Sequence, residues 1–231
     1  MVKIPQNTSR AKSTVATTPG KNSLTLAIAL SVFCFLLYGN TIWNDYSLDD
    51  ELVTWNHPQV SKGIRALPEI FSTPYYEVSG NAGTLIFGYR PIAKATYAIE
   101  RSLYGQNPHI SHFLNVLLYL LTVLLVHRLI QRLFPEAHWG FPFLATLIFA
   151  AHPLHTEVVA SLKNREEILA LLGALGGMWF FLNYARNEKP VSLIYGLLCF
   201  FGGYLSKSSV MPFLVLYPLT LYFFTGIRPG R

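Results

Sequence analysis

Residues 110–134 read ISHFLNVLLYLLTVLLVHRLIQRLF, with no Asp, Glu, Lys or Arg until Arg128. About 20 consecutive, predominantly apolar residues are enough for an α-helix to cross the hydrocarbon core of a bilayer. Because this run carries no charge over almost that whole length, it predicts a membrane-spanning helix.

The composition of the rest of the chain agrees with this prediction. The 231 residues are 52% hydrophobic and only 13% charged, whereas a soluble domain carries about 25% charged residues. The net charge of +6 comes mostly from Lys and Arg just beyond the ends of apolar runs, where the positive-inside rule places them. These features exclude an ordinary soluble enzyme, a disordered chain and a nucleic-acid-binding module, and they predict an all-α polytopic membrane protein.

Six apolar runs predict six spans, with both termini in the cytosol. They lie at about residues 24–43, 109–134, 139–154, 166–185, 190–206 and 209–225. The third run is short, so a re-entrant segment is its alternative. The first run also resembles a signal peptide, but no A-x-A-like cleavage site follows it, which favours an uncleaved anchor. Six spans leave ten basic residues inside and eight outside, which favours this orientation mildly.

Two further segments complete the predicted organisation. Residues 1–22 are basic, rich in Ser and Thr, and are expected to form a disordered cytosolic tail before a membrane domain at 23–231. The loop at 44–108 lies outside the cytosol and holds seven of the twelve acidic residues. Two stretches in it, 58–71 and 91–103, are expected to form short amphipathic helices on the membrane surface.

With six spans, five polar clusters collect on the outer side of the membrane. They are 49–51 (DDE), 89–91 (YRP), 152–157 (HPLHTE), 164–167 (NREE) and 206–208 (SKS). Ionisable groups at membrane depth are costly and are functional candidates for that reason. Their convergence predicts one site at the membrane boundary.

Each cluster also has a purely structural interpretation. Asp49 and Asp50 are able to cap a surface helix, and residues 164–167 suit the N-cap and acidic first turn of the fourth span. Lys207 is able to snorkel to the interface, and Arg90 to pair with acids in its own loop. His152 and His155 have metal-ligand spacing, although histidines at a helix end are more often hydrogen-bonded structural groups.

Several of these stretches resemble one known family, the transmembrane and tetratricopeptide-repeat O-mannosyltransferases with their bacterial relatives. The matching stretches are LDDE at 48–51 with WNHP at 55–58, GYRPI at 88–92, NPH at 107–109 with HFLNVLL at 112–118, FAAHPLHTEVVA at 149–160, NREEILA at 164–170 and LSK at 205–207. They follow the order and spacing of the family from residue 44 to about 224. Departures are Asn164, Glu166 and Glu167, where the family usually reads Gly, Ala and Asp, and Ser208, where it reads Glu.

The resemblance implies a GT-C-like bundle of transmembrane helices with a large extracytosolic first loop that carries a catalytic acid. Such enzymes move a sugar, usually mannose, from a polyprenyl (dolichyl) phosphate to Ser or Thr of a protein. Asp49 or Asp50 would be the base, and Arg90, Lys207 and Arg165 would bind the donor phosphate. Tyr89, His152, His155 and Glu157 would orient the substrates. A divalent cation on His155, Glu157 and Asp50 is a minor alternative to a metal-free site.

We therefore expect a membrane glycosyltransferase that acts on the extracytosolic face with inversion of the anomeric centre. Its partners would be the lipid-linked sugar, an acceptor protein, the bilayer and, in one variant, a second membrane chain. The membrane would be a bacterial inner membrane or the endoplasmic reticulum. Because relatives continue with further helices and tetratricopeptide repeats, the alternative is a non-catalytic subunit or truncated GT-C module that binds lipid phosphate or packs in a larger complex. A transporter would show inverted repeats, which the sequence lacks.

Overall fold

A computed structural model describes residues 22–47, 49–80 and 83–225, so the tail predicted at 1–22 lies outside the described residues except for Asn22. The α-helices are α1 (Asn22–Tyr38), α2 (Asp50–Val53), α3 (Leu67–Ile70), α4 (Pro91–Tyr104), α5 (Pro108–Leu133), α6 (Gly140–Ala150), α7 (Leu154–Ala160), α8 (Arg165–Asn187), α9 (Pro190–Ser206) and α10 (Phe213–Thr225). Short 3-10 helices lie at Gly39–Trp43, Val60–Ala66, Leu162–Asn164 and Ser208–Val210. The helical polytopic membrane fold predicted from the sequence is confirmed.

Within the described residues, four helical segments are long and apolar enough to cross a membrane. They are Ser23–Trp43, Pro108–Leu133, Leu162–Asn187 and Ser208–Thr225. Helices α6 and α7 are bent by 66° at the break between them, which makes them either one broken span or a re-entrant loop. Helix α9 is apolar but has 17 residues, about 26 Å of helix against a hydrocarbon core of about 30 Å. The count of six spans stays a prediction.

Helix α5 is the centre of the bundle. One core cluster joins its N-terminal half to α1, α6, α7 and the start of α8, with Cys34, Val123 and Ala150 fully buried. A second cluster joins its other half to α8, α9 and α10 around Ala174 and Leu182. Because α5 contributes to both clusters, it fixes the relative positions of the remaining helices.

Helices α8 and α9 pack at backbone distance because glycines face each other. A Cβ atom added to Gly173 would lie 2.7 Å from the carbonyl oxygen of Cys199 and from the Cα of Gly203. Small residues at such a crossing allow the close van der Waals packing that drives helix association in membranes. This contact brings the end of α9 to the start of α8, where two of the expected polar clusters meet.

The loop at 44–108 differs in two ways from the expected pair of amphipathic helices. Helix α4 matches the expected helix at 91–103, but the stretch at 58–71 is a 3-10 segment followed by α3. The break falls at Gly63, whose φ of 68° and close approach to Ser102 suit only glycine. The strands β1 (Tyr76–Gly80) and β2 (Gly83–Phe87) form an antiparallel hairpin that the sequence analysis did not predict.

The loop is fixed to the membrane helices by a buried polar network at Arg165, the first residue of α8. Its guanidinium donates to both carboxylate oxygens of Glu100 on α4 and, at 2.6 Å, to Oδ1 of Asn115 on α5. Tyr97 of α4 packs its ring under this guanidinium at 4.2 Å and donates its hydroxyl proton to the carbonyl of Leu162. Three elements that are distant in sequence are therefore joined at a buried site where α8 begins.

Candidate functional site

The adjacent residues Asp49 and Asp50 occupy opposite environments. The Asp50 side chain is fully buried and accepts hydrogen bonds from Ser47, from the Ser161 hydroxyl at 3.2 Å and from the Lys163 backbone N–H at 2.9 Å. The Asp49 carboxylate is 55% exposed and pairs with Lys163 Nζ at 2.5 Å. Asp50 thus attaches the loop to the connection between α7 and α8, while Asp49 is open to an incoming molecule.

Arg90 is positioned by the turn that follows the hairpin. Gly88 has a φ of 50°, and its carbonyl accepts a hydrogen bond from the Tyr75 N–H at 2.9 Å. This turn places the Arg90 guanidinium 5.0 Å from the centre of the Tyr75 ring, a cation–π contact. Pro91 then begins α4 with a residue suited to the first helical turn.

The buried carboxylate of Glu166 brings Arg90 and Lys207 together. Its Oε1 accepts from Arg90 Nη1 and, at 2.8 Å, from Lys207 Nζ, and the side chain is 1% exposed. Lys207, just after α9, also pairs with Glu167 at 2.6 Å. Burial opposes the charge on Lys207, but the hydrogen bonds that its ammonium donates to Glu166 and Glu167 outweigh the effect of burial, and the net effect raises the pKa of Lys207. Lys207 is therefore a cation at neutral pH.

These side chains surround a polar cavity of about 280 Å³ at the N-terminal end of α8. Its lining consists of Tyr75, Gly88, Arg90, Lys163, Asn164, Glu166 and Lys207. Three cations and one carboxylate therefore face the cavity, and Asp49 adjoins it through Lys163. Cationic N–H groups in this arrangement suit a phosphate oxygen ligand. Burial and the nearby charge of Glu166 raise the pKa of Tyr75, so its ring stays neutral.

An apolar groove of about 320 Å³ lies beside the polar cavity, between α5, α7, α8 and α10. It is lined by Tyr119, Thr122, His155, Val158, Glu167, Ile168, Ala170, Leu171, Ala174, Ser209, Val210 and Phe213. Glu167 accepts a hydrogen bond from Ser209 at 2.9 Å in this groove and contacts Lys207 of the polar cavity. The two spaces are therefore neighbours, one polar and one apolar.

The family resemblance assigns Arg165 to the donor phosphate, but in the structure its guanidinium is bonded to other residues of the protein. All five guanidinium N–H groups are used within the protein, by Glu100, Thr96, Asn115 and the Ser111 carbonyl. The side chain is fully buried. No donor is left for a phosphate, so we leave Arg165 out of the phosphate site and regard it as a structural group.

The remaining expected residues lie around the two spaces but do not form one cluster. Tyr89 donates its hydroxyl proton to the Phe71 carbonyl at 2.6 Å, within the loop. His155 Nδ1 lies 2.7 Å from the Tyr119 hydroxyl in the apolar groove, whereas His152 is exposed at the α6–α7 break. Glu157 is exposed and accepts a long hydrogen bond, 3.5 Å, from Asn164.

The metal alternative on His155, Glu157 and Asp50 gains no geometric support. Among the residues described, no three His, Cys, Asp or Glu side chains come close enough together to hold a metal ion. The buried carboxylate of Asp50 is also fully engaged with Ser47, Ser161 and Lys163.

Sequence reasoning missed three residues of the polar cavity: Tyr75, Lys163 and Glu166. Glu166 was interpreted as part of an acidic first helical turn, although its position at membrane depth and its departure from the family pattern both marked it. Lys163 and Tyr75 carry no signal in the sequence. The residues that depart from the family pattern lie around Lys207. Glu166 and Glu167 supply its carboxylate partners, and Ser208 follows it in the chain.

Comparison with known proteins agrees with the family resemblance. The human protein O-mannosyl-transferase TMTC1 is 32% identical over 187 residues, which is 80% of this chain and 20% of that protein. The mouse protein O-mannosyl-transferase TMTC2 is 32% identical over 160 residues, 66% of this chain and 18% of that protein. A Caenorhabditis elegans protein O-mannosyl-transferase, F38B6.6, is 27% identical over 179 residues, 76% of this chain and 25% of that protein. No family model matches the chain. No solved structure matches it.

Fold and site together define a polytopic helical membrane protein with a cation-lined polar cavity and an apolar groove side by side at one end of its helices. Over 66–80% of its own length the chain is similar to proteins named O-mannosyl-transferases, which agrees with its resemblance to the transmembrane and tetratricopeptide-repeat O-mannosyltransferases. It spans about a fifth of the length of the relatives it matches.

Proposed function

We propose that the chain carries the donor site of a membrane glycosyltransferase, which transfers a sugar, mannose by family likeness, from a polyprenyl phosphate to a Ser or Thr hydroxyl. The observation that carries the proposal is the polar cavity of about 280 Å³, lined by Arg90, Lys163 and Lys207 and placed beside an apolar groove. A lipid-linked sugar phosphate needs both surroundings at once. The reaction would take place on the extracytosolic face.

The cations of the cavity would bind the donor phosphate. Arg90 and Lys207 are held in place by their shared partner Glu166, so they need little reorganisation when an anion binds. Charged groups that are already oriented stabilise the charge that develops on a leaving phosphate more effectively than mobile ones. Lys163 would turn from Asp49 to the phosphate, because it lines the cavity and reaches both.

Asp49 is our candidate for the general base, in preference to Asp50. Its carboxylate is exposed and loses its only described ion-pair partner when Lys163 moves to the phosphate. The acceptor hydroxyl would give its proton to Asp49 while its oxygen attacks C1 of the sugar. The C1–O bond to the phosphate would break, its electron pair would leave on the polyprenyl phosphate, and the anomeric centre would invert. A positioned base contributes about 10²- to 10⁴-fold in rate.

The apolar groove would hold the first isoprene units of the donor. Its walls are side chains of α5, α7, α8 and α10, and Glu167 separates it from the phosphate cavity. Because the residues at 213–224 on α10 are largely exposed and apolar, the rest of the lipid tail would continue into the bilayer.

Binding of citronellyl-phosphate mannose, a short donor analogue, to the purified chain tests this site. Lys163→Gln and Lys207→Gln should each weaken binding roughly tenfold, since a charge-assisted hydrogen bond is lost. Lys62→Gln is the matched control, because Lys62 also pairs with a carboxylate, Glu69, but is not among the residues that line the polar cavity. Equal binding by all four proteins would contradict the proposal. Binding that depends on Lys163 and Lys207, without any transfer, would favour the non-catalytic module instead.

A further inference from the structure

A second cavity lies at the opposite end of the helix bundle, and no part of the proposed reaction uses it. It has a volume of about 660 Å³ and is lined by Ser23, Arg128, Gln131, Arg132, Phe134, Pro135, Ala137, Trp139, Pro142, Trp179, Asn183, Arg186 and Asn187. From Glu166 to Arg186 along α8 is about 30 Å, the thickness of a bilayer's hydrocarbon core. The cavity therefore lies at the other membrane boundary.

The charged residues described around this cavity are all arginines. Arg128 and Arg132 come from the end of α5 and Arg186 from the end of α8, and no acidic residue is among the described lining residues. None of the three forms an ion pair with a carboxylate in the residues that the structure describes. Three unpaired guanidinium groups around one space repel each other unless an anion joins them.

Arg132 is held in position but is not fully satisfied. Its Nη1 donates to Asn183 Oδ1 at 2.6 Å and to the Trp179 carbonyl at 3.3 Å, and its guanidinium stacks 4.8 Å from the Trp179 ring centre. Its Nε is buried and, among the described residues, has no hydrogen-bond partner. A buried donor without a partner is costly, so the protein holds Arg132 at this cavity despite one unsatisfied N–H.

Aromatic residues mark this cavity as part of the membrane boundary. Trp139 is 53% exposed and Phe134 42% exposed, and both line the cavity. Tryptophan at such a position is typical of the headgroup level of a bilayer. Basic cavities between transmembrane helices on the cytosolic side are suited to phosphate-bearing lipid headgroups.

We propose that this cavity binds the headgroup of an anionic phospholipid, with its phosphate oxygens on Arg128, Arg132 and Arg186. The acyl chains would lie along the exposed apolar residues that follow Trp139 on α6. The site would be a lipid-binding site separate from the donor cavity, at the other end of α8.

Thermal unfolding of the purified chain in maltoside micelles tests this proposal. Dioctanoyl phosphatidic acid should raise the unfolding midpoint, because a ligand that binds only the folded state stabilises it. Dioctanoyl phosphatidylcholine and inorganic phosphate at the same concentrations should not. An equal rise with phosphatidylcholine would overturn the need for an anion, and an equal rise with inorganic phosphate would overturn the assignment to a lipid.

Substitutions assign the effect to the cavity. Arg128 is exposed and has no hydrogen bond among the described residues. Arg128→Gln and Arg132→Gln should each weaken phosphatidic acid binding roughly tenfold. Lys189→Gln is the matched control, a neighbouring cation at the same end that does not line the cavity. Lys207→Gln removes a cation from the donor cavity and should leave the effect unchanged. An effect that persists in Arg128→Gln and Arg132→Gln, or that is lost in Lys189→Gln or Lys207→Gln, would overturn the proposal.

Discussion

At the scale of single residues, neighbouring side chains of the same type have different roles because different partners reach them. The partners of Asp50 include Ser161, which lies 111 residues further along the chain, whereas the side-chain partner described for Asp49 is a lysine at the surface. No local pattern in the sequence distinguishes the two, which is why the sequence analysis kept both as candidates for the base. The fold separates them by burying one.

Substituting each aspartate should therefore have a different effect. Asp50→Asn loses charge-assisted hydrogen bonds in a buried position and should destabilise the protein by about 1–3 kcal/mol. Asp49→Asn, at an exposed site, should change stability by less than about 0.5 kcal/mol. Thermal unfolding of both variants in the same detergent measures this, and equal losses of stability would contradict the assignment of Asp50 to a structural role.

Lys94 on α4 should make the stability of the protein depend on pH in the alkaline range. Its side chain is fully buried, with its ammonium on Gln59 Oε1 at 2.6 Å and the Pro74 carbonyl at 2.8 Å. Burial lowers its pKa to about 8, with the charge of Glu69 opposing that shift. An unfolded lysine titrates near 10.4, so between pH 8 and pH 10 the unfolded chain binds more protons and stability rises with pH.

The unfolding midpoint of the wild type should accordingly rise between pH 8 and pH 10, and Lys94→Met should remove that rise. The slope with pH is the relevant quantity, because the substitution also changes the absolute midpoint. A slope that is the same in both proteins would exclude Lys94 as its source.

At the scale of helices and strands, the sequence predicts elements that depend on their own residues and misses those that depend on distant ones. The apolar run at 110–134 forms α5, and the amphipathic stretch at 91–103 forms α4, each with nearly the expected bounds. The break at Gly63 depends on its close approach to Ser102 on α4, whereas the bend of 66° between α6 and α7 lies at Pro153, just before α7 begins. The hairpin of β1 and β2 was missed because two short strands give little periodic signal.

The close crossing of α8 and α9 gives a prediction at this scale. Gly173→Ala places a Cβ 2.7 Å from the backbone of α9 and should destabilise the protein by about 1–3 kcal/mol through overpacking. Gly202→Ala is the matched control, because a Cβ there meets nothing within 4 Å and alanine favours the helix. Thermal unfolding compares the two, and equal midpoints would show that the crossing tolerates a methyl group.

At the scale of the whole molecule, the cations divide between two ends of the bundle. Arg90, Lys163 and Lys207 lie at the start of α8 with carboxylate partners, whereas Arg128, Arg132 and Arg186 lie near its other end and have no carboxylate partner among the described residues. The cations that have carboxylate partners suit a site where a bound anion replaces a carboxylate as their partner during a reaction. The unpaired group suits an anion that stays bound, which is the basis for the two sites proposed above.

Sugar transfer by the purified chain in nanodiscs is the measurement to make first. It would use radiolabelled polyprenyl-phosphate mannose and a pool of Ser/Thr peptides, with wild type, Asp49→Asn and the matched control Asp45→Asn, an acid of the same loop. We expect transfer by the wild type and the control, and a loss of at least 10²-fold in Asp49→Asn with its fold retained. Absence of transfer by the wild type, or equal transfer by Asp49→Asn, would contradict a glycosyltransferase site built on this aspartate.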